Sequence, residues 1–146
     1  YGAIRAIISN SSYTDETDGV LLLDGMHTDY IPDGQTLYQG GKLNVLKLDA
    51  FLEFAKLAMI GKKKMLITHS SIFPGTYAST TECAEYVINS LGLSRDPKLE
   101  EGPMGMQQVG ITLKGNLTIM AFAGNAAPDH MDHLHGFHEF VRILIE

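Results

Sequence analysis

Three short apolar runs along the chain each end in reactive polar residues. Val20-Leu21-Leu22-Leu23 gives way to Asp24-Gly25-Met26-His27, and Met65-Leu66-Ile67-Thr68 gives way to His69-Ser70-Ser71. The run over 117–123 passes through Gly124 to Asp129-His130. Unbroken apolar stretches of this length read as strands covered on both faces, here over 19–24, near 64–69 and over 117–123. A further apolar stretch at 109–113, joined to the last run by Lys114-Gly115-Asn116, completes a hairpin.

Helical periodicity fills the spaces between strands. Residues 3–9 predict a short helix. Asp49 is placed to cap a helix over 50–60, with Phe51, Leu52, Ala55, Ala58 and Met59 on one face and Gly61 as its stop. Ser79-Thr80-Thr81-Glu82 predicts a capping box, opening a helix that runs to about Leu91 and stops at Gly92. A last helix is expected over about 131–145, with Leu134, Phe137, Phe140, Val141 and Leu144 facing the core. Residues 10–18, 25–48, 70–78 and 94–107, rich in Gly, Pro, Ser, Thr or Asp, read as loops. Strands and helices in alternation predict a single α/β domain, or part of one, over 1–146: a layered, mostly parallel sheet with flanking helices and a hairpin near the end.

Composition narrows the picture. With 146 residues and 45% of them apolar, the chain is long enough to bury a core. Its net charge is −6, and its few cations are scattered apart from Lys62-Lys63-Lys64, which reads as a solvated turn. Nucleic acid is therefore not an expected partner. A single cysteine, Cys83, rules out an internal disulfide and reads as a small buried residue. No apolar run approaches the ~20 residues of a membrane span. The chain begins at Tyr1 rather than at a methionine, so an upstream segment is expected and the sequence assigns no localisation.

In open α/β sheets, ligands bind outside the carboxyl ends of the strands, where the three polar clusters fall. Asp24 there is either a turn residue satisfying local amides or a carboxylate that orients a histidine. Four of the six histidines lie in Asp129-His130-Met131-Asp132-His133-Leu134-His135-Gly136-Phe137-His138. His130 falls at the expected helix start, where the dipole disfavours an imidazolium and keeps the ring fit to act as a base. His130 and His133 share a helical face and leave metal ligation open, but the spacing is not that of zinc proteases and no Cys pairs accompany it. Adjacent strand residues face opposite ways, so His69 is expected to line a pocket rather than to activate Ser70. His27, Tyr30 and Tyr77 are further candidates for substrate contact.

The opening Tyr1-Gly2-Ala3-Ile4-Arg5, taken with the three strand ends, resembles the C-terminal half of an α/β-hydrolase. The segments Leu22-Leu23-Asp24-Gly25-Met26-His27, Thr68-His69-Ser70-Ser71-Ile72-Phe73-Pro74-Gly75 and Gly124-Asn125-Ala126-Ala127-Pro128-Asp129-His130 are similar to those of uncharacterised bacterial members. The resemblance implies that the opening residues begin the helix after a nucleophile elbow, with the nucleophilic Ser just upstream of Tyr1. It implies His130 as base, with His133 as the second candidate, and Asp24 as acid, one strand earlier than the family's common position. The resulting expectation is a serine esterase acting on a small ester or amide, catalytically incomplete without its first half, with no cofactor. Partners would be that missing half or a second copy of the chain. A metal-dependent hydrolase using Asp24, His27, His69, His130 and His133, or a non-catalytic ligand-binding module, are the competing expectations.

Overall fold

The computed structural model describes residues 1–146 and contains, in order, α1 (Gly2–Ile8), α2 (Ser11–Glu16), β1 (Gly19–Leu23), β2 (Tyr30–Ile31), β3 (Lys42–Leu43), α3 (Asp49–Met59), β4 (Lys64–His69), α4 (Thr80–Ser90), β5 (Asp96–Glu101), β6 (Gln107–Lys114), β7 (Leu117–Phe122), α5 (Ala127–His135) and α6 (Phe137–Ile145). Five strands form one mixed sheet in the order β1-β4-β7-β6-β5. The apolar strands β1, β4 and β7 pair in parallel, while β6 and β5 add on antiparallel.

Alternation along the strands divides the core into two layers. Val20, Leu22, Met65, Ile67, Leu117 and Ile119 pack with Phe51, Phe54 and Ala55 of α3 and with Cys83, Ala84 and Val87 of α4. On the other face, Leu66, Met120 and Phe122 pack with Phe140 of α6. Helices on both faces explain why these strands read as continuous apolar runs rather than as alternating ones. No helix is long and apolar enough to cross a membrane.

Most expected elements are present, with five differences. Residues 10–18 are not all loop, since the Asn10 side chain accepts from the Ser12 amide at 3.0 Å and starts α2. Residues 25–48 hold a two-residue ladder, β2 against β3. Residues 94–107 include β5, whose Asp-Pro-Lys-Leu-Glu-Glu sequence hides a strand because it pairs on one side only and is almost wholly exposed. Asp49 is the first residue of α3 rather than its cap, a position where its charge still favours the helix dipole.

The last expected helix is in fact two. Helix α5 spans Ala127–His135 and is capped by Gly136, where a Cβ would approach that of Pro103 to 3.0 Å. The break turns the apolar face, so Leu134 and Phe137 are 46% and 56% exposed rather than core-facing, and His133 takes the fully buried position.

The Ser79–Glu82 capping box forms as expected. Ser79 Oγ accepts from the Glu82 amide at 3.1 Å, and Glu82 Oε2 accepts from the Ser79 amide at 2.8 Å. The same Oε2 also accepts from Tyr30 Oη at 2.9 Å, tying the 25–48 loop to α4.

Candidate active site

Parallel pairing of β1 with β4 and of β4 with β7 brings their carboxyl ends side by side. Asp24 follows β1 directly and is 2% exposed. Its φ is 45°, a left-handed conformation that a short polar residue tolerates better than most. That backbone turns the carboxylate across the sheet edge. Asp24 Oδ1 accepts from the Ser70 amide at 2.9 Å and from Thr80 Oγ1 at 2.6 Å. Oδ2 accepts from Ser70 Oγ at 2.8 Å and from His130 Nδ1 at 2.9 Å. Burial alone would raise the Asp24 carboxyl, but the hydrogen bonds from Thr80, His130 and Ser70, with the field of His133, outweigh it and hold the group below its ordinary value. The carboxylate is therefore ionised and can only accept.

His130 arrives from the other side, in the first turn of α5. Gly124 lets the chain turn there: its φ is 132°, and a Cβ on it would meet that of Asp129 at 2.6 Å. The Asp129 carboxylate accepts from the amides of Asn125 and Ala126 at 2.8 and 2.9 Å, fixing the start of α5. With Nδ1 donating to an acceptor-only carboxylate, His130 carries its proton on Nδ1 and leaves Nε2 free as a base. The ring is 40% exposed while Asp24 beneath it is sealed. A buried carboxylate bonded to one ring nitrogen, with the other side of the imidazole open, is a geometry in which Nε2 can take up a proton.

A cavity of about 290 Å³ opens over this pair, lined by Asp24, His27, Ile72, Pro74, Tyr77, Thr80, Ala127 and His130. No Lys or Arg reaches it. His27 donates from Nδ1 to the Ala78 carbonyl at 3.2 Å, and its ring meets Tyr77 edge-on at 5.1 Å and Tyr1 at 5.8 Å. Burial, the largest influence, pushes the His27 imidazole below its ordinary value and favours its neutral ring.

Of the residues singled out from sequence, the fold gathers Asp24, His27, Ser70, Tyr77 and His130. Ser70 sits under the site as a donor to Asp24 rather than on the cavity wall. Three others lie elsewhere. His69, expected to line the pocket, is buried the other way: its Nδ1 donates to Thr81 Oγ1 at 2.8 Å and its Nε2 accepts from Arg95 at 2.8 Å. Burial, followed by the charge of Arg95, pushes its pKa down to about 3. Tyr30 is buried against Glu82. His133 is fully buried beneath Asp24, bonded to Thr68 and off the cavity.

Sequence reading missed Thr80 and Thr68. Thr80 was absorbed into the capping box, although a hydroxyl in the first turn of a helix that follows a polar strand end is the signal for it. Thr68 read as the last residue of an apolar strand. No three or more His, Cys, Asp or Glu side chains converge as a metal site requires, and the nitrogens or oxygens facing one another at Asp24 and His130 are already bonded together. No protein-family model matches the chain, and no curated protein matches it.

Proposed function

We propose that the chain carries the acid–base half of an α/β-hydrolase-like serine hydrolase site. In this reading a Ser supplied from upstream of Tyr1 attacks an ester or amide carbonyl, and His130 Nε2 takes its proton and returns it to the leaving group. Asp24 holds the Nδ1–H tautomer and stabilises the imidazolium that forms. The observation that carries this is the Asp24–His130 bond at 2.9 Å, sealed on the carboxylate side and open on the imidazole side.

Two further features support the reading. The Tyr1 ring meets His27 edge-on at 5.8 Å, and His27 lines the same cavity as His130, so one side chain separates the start of α1 from that cavity. The hydroxyls of Ser70 and Thr80 are both committed to Asp24. The wall of Ile72, Pro74, Tyr77 and Ala127, without a cation, fits a small uncharged acyl or leaving group.

A fluorophosphonate probe applied to the natural gene product tests the proposal. Covalent label on a Ser shortly before the residue numbered 1 here is the expected result, abolished by His130→Ala. A gene product that takes no label and hydrolyses no p-nitrophenyl ester overturns it and leaves a ligand-binding module.

A further inference from the structure

His133 is the most deeply buried ionisable side chain near the site, and the acid–base pair does not use it. It is 0% exposed, edge-on to Phe122 at 5.3 Å between ring centroids and stacked with Phe140 at 6.2 Å. Its Nε2 is buried with no partner. A core built for packing alone would place Leu or Phe here, because an unpartnered buried nitrogen opposes folding. What an apolar residue cannot do is bond Thr68, whose Oγ1 lies 2.6 Å from His133 Nδ1.

Thr68 Oγ1 also accepts from the Asp24 amide at 3.0 Å, and that amide reaches the Thr68 carbonyl at 3.1 Å. A hydroxyl has one proton and two lone pairs, so Thr68 Oγ1 accepts from the Asp24 amide and still bonds His133 Nδ1 in either ring tautomer. His133 therefore fixes the Thr68 rotamer so that its oxygen lone pair faces the Asp24 N–H. The amide so held belongs to the residue with φ 45°. Left-handed backbone at a residue with a side chain persists only where its surroundings over-determine it.

We infer that His133 is a positioning residue: through Thr68 it holds the left-handed backbone of Asp24 and so aims the carboxylate at His130 Nδ1. The inference rests on the Asp24–His130 pair that also carries the proposed function, but not on turnover. Four side-chain and backbone groups grip the carboxylate, whereas only Thr68 grips the backbone amide that sets its direction.

The test reads His130 by NMR in chain labelled with 15N-histidine, at a pH where the rings are neutral. Wild-type chain should show His130 as the Nδ1–H tautomer, its ring proton protected from exchange. His133→Phe fills the space between the two phenyl rings without the nitrogen, and Thr68→Val removes the hydroxyl at constant shape. Each should stay folded yet lose the protected Nδ1–H signal and show mixed tautomers at His130. His133→Asn, which can offer an amide oxygen near the Nδ1 position, should restore the signal in large part, and the double variant His133→Phe/Thr68→Val should be no worse than either single one.

A purely structural role would lower thermal stability and leave the His130 tautomer intact, and that outcome in folded Thr68→Val or His133→Phe overturns the inference. If His133→Phe does not fold, Thr68→Val and His133→Asn decide in the same way. A wild-type chain with no Nδ1–H signal at His130 would remove the pair itself. Absence of fluorophosphonate label with the NMR pattern intact would instead sink only the hydrolase reading.

Discussion

The two halves of the sheet bury polar groups in different ways. In the parallel half, β1, β4 and β7 are covered by helices on both faces, yet Asp24, Thr68, His69, Ser70, Thr80 and His133 all lie buried around the carboxyl ends of these strands. In the antiparallel flank, β5 is exposed along nearly its whole length, and β6 alternates buried with exposed residues; its charged side chains face water. The contrast teaches where buried polarity can be sustained. Parallel strands end together, so buried donors meet acceptors from the next strand end, as Ser70 finds Asp24 and Asp24 finds Thr68. The antiparallel flank sends successive ends to opposite sides of the sheet: its two buried polar side chains, Gln108 and Thr112, bond backbone carbonyls rather than one another, and its charges are left to solvent.

The sharpest way to break this contrast is to remove its centre. Asp24→Ala leaves the Ser70 amide, two hydroxyls and His130 without their shared acceptor, and should destabilise the chain by about 3–5 kcal/mol in urea unfolding. Under the proposed hydrolase reading, Asp24→Asn in the natural gene product should cut ester turnover by about 10⁴-fold, because the amide no longer holds the Nδ1–H tautomer of His130. Ile67→Ala, at a fully buried β4 position of the same half, should cost about 3 kcal/mol through lost burial and the cavity left behind.

Acid should expose the same half. His69 titrates at about 3 when folded, against about 6.5 when unfolded. Between those values the unfolded chain binds the extra proton, so stability falls as pH drops through that window, by about 1.4 kcal/mol per unit for this group. His27 and His133, also pushed down by burial, act with the same sign. Asp24, held below its ordinary value, contributes stability above about pH 3.9 that is lost only on further acidification. His69→Gln should flatten the first part of this decline in urea midpoints measured across pH. The smallest effect belongs to the flank: Leu99→Ser, at an 80% exposed site on β5, should shift stability by no more than about 0.5 kcal/mol. A larger shift there would mean that the flank is not the passive half.

What could be read from the chain alone follows the same division. The parallel half announces itself, because strands covered on both faces must be apolar throughout, and its helices carry their caps in sequence, as at Ser79 and Glu82. The flank is harder. Asp96-Pro97-Lys98-Leu99-Glu100-Glu101 has no apolar period because its surroundings demand none. At the site, Asp24 was legible because it follows an apolar run directly, and His130 because Pro128-Asp129 marks a helix start shortly after another. The direction of His69 was not, since a strand's alternation says that neighbours face apart but not which neighbour faces the cavity. His133 was hidden by the turn at Gly136, which no periodicity reports. Thr68 and Thr80 were hidden by having an adequate local explanation already.

The oxygen Oε2 of Glu82 has a consequence for how the molecule opens. It closes the first turn of α4 through Ser79 and, through Tyr30, fastens a loop 52 positions earlier in the chain. Two segments distant in sequence thus share one latch, and amide hydrogens in both should exchange with solvent at a common rate, as one cooperative unit. Opening at the helix start should then reach the loop that carries His27, through a carboxylate that lines none of the cavity over His130.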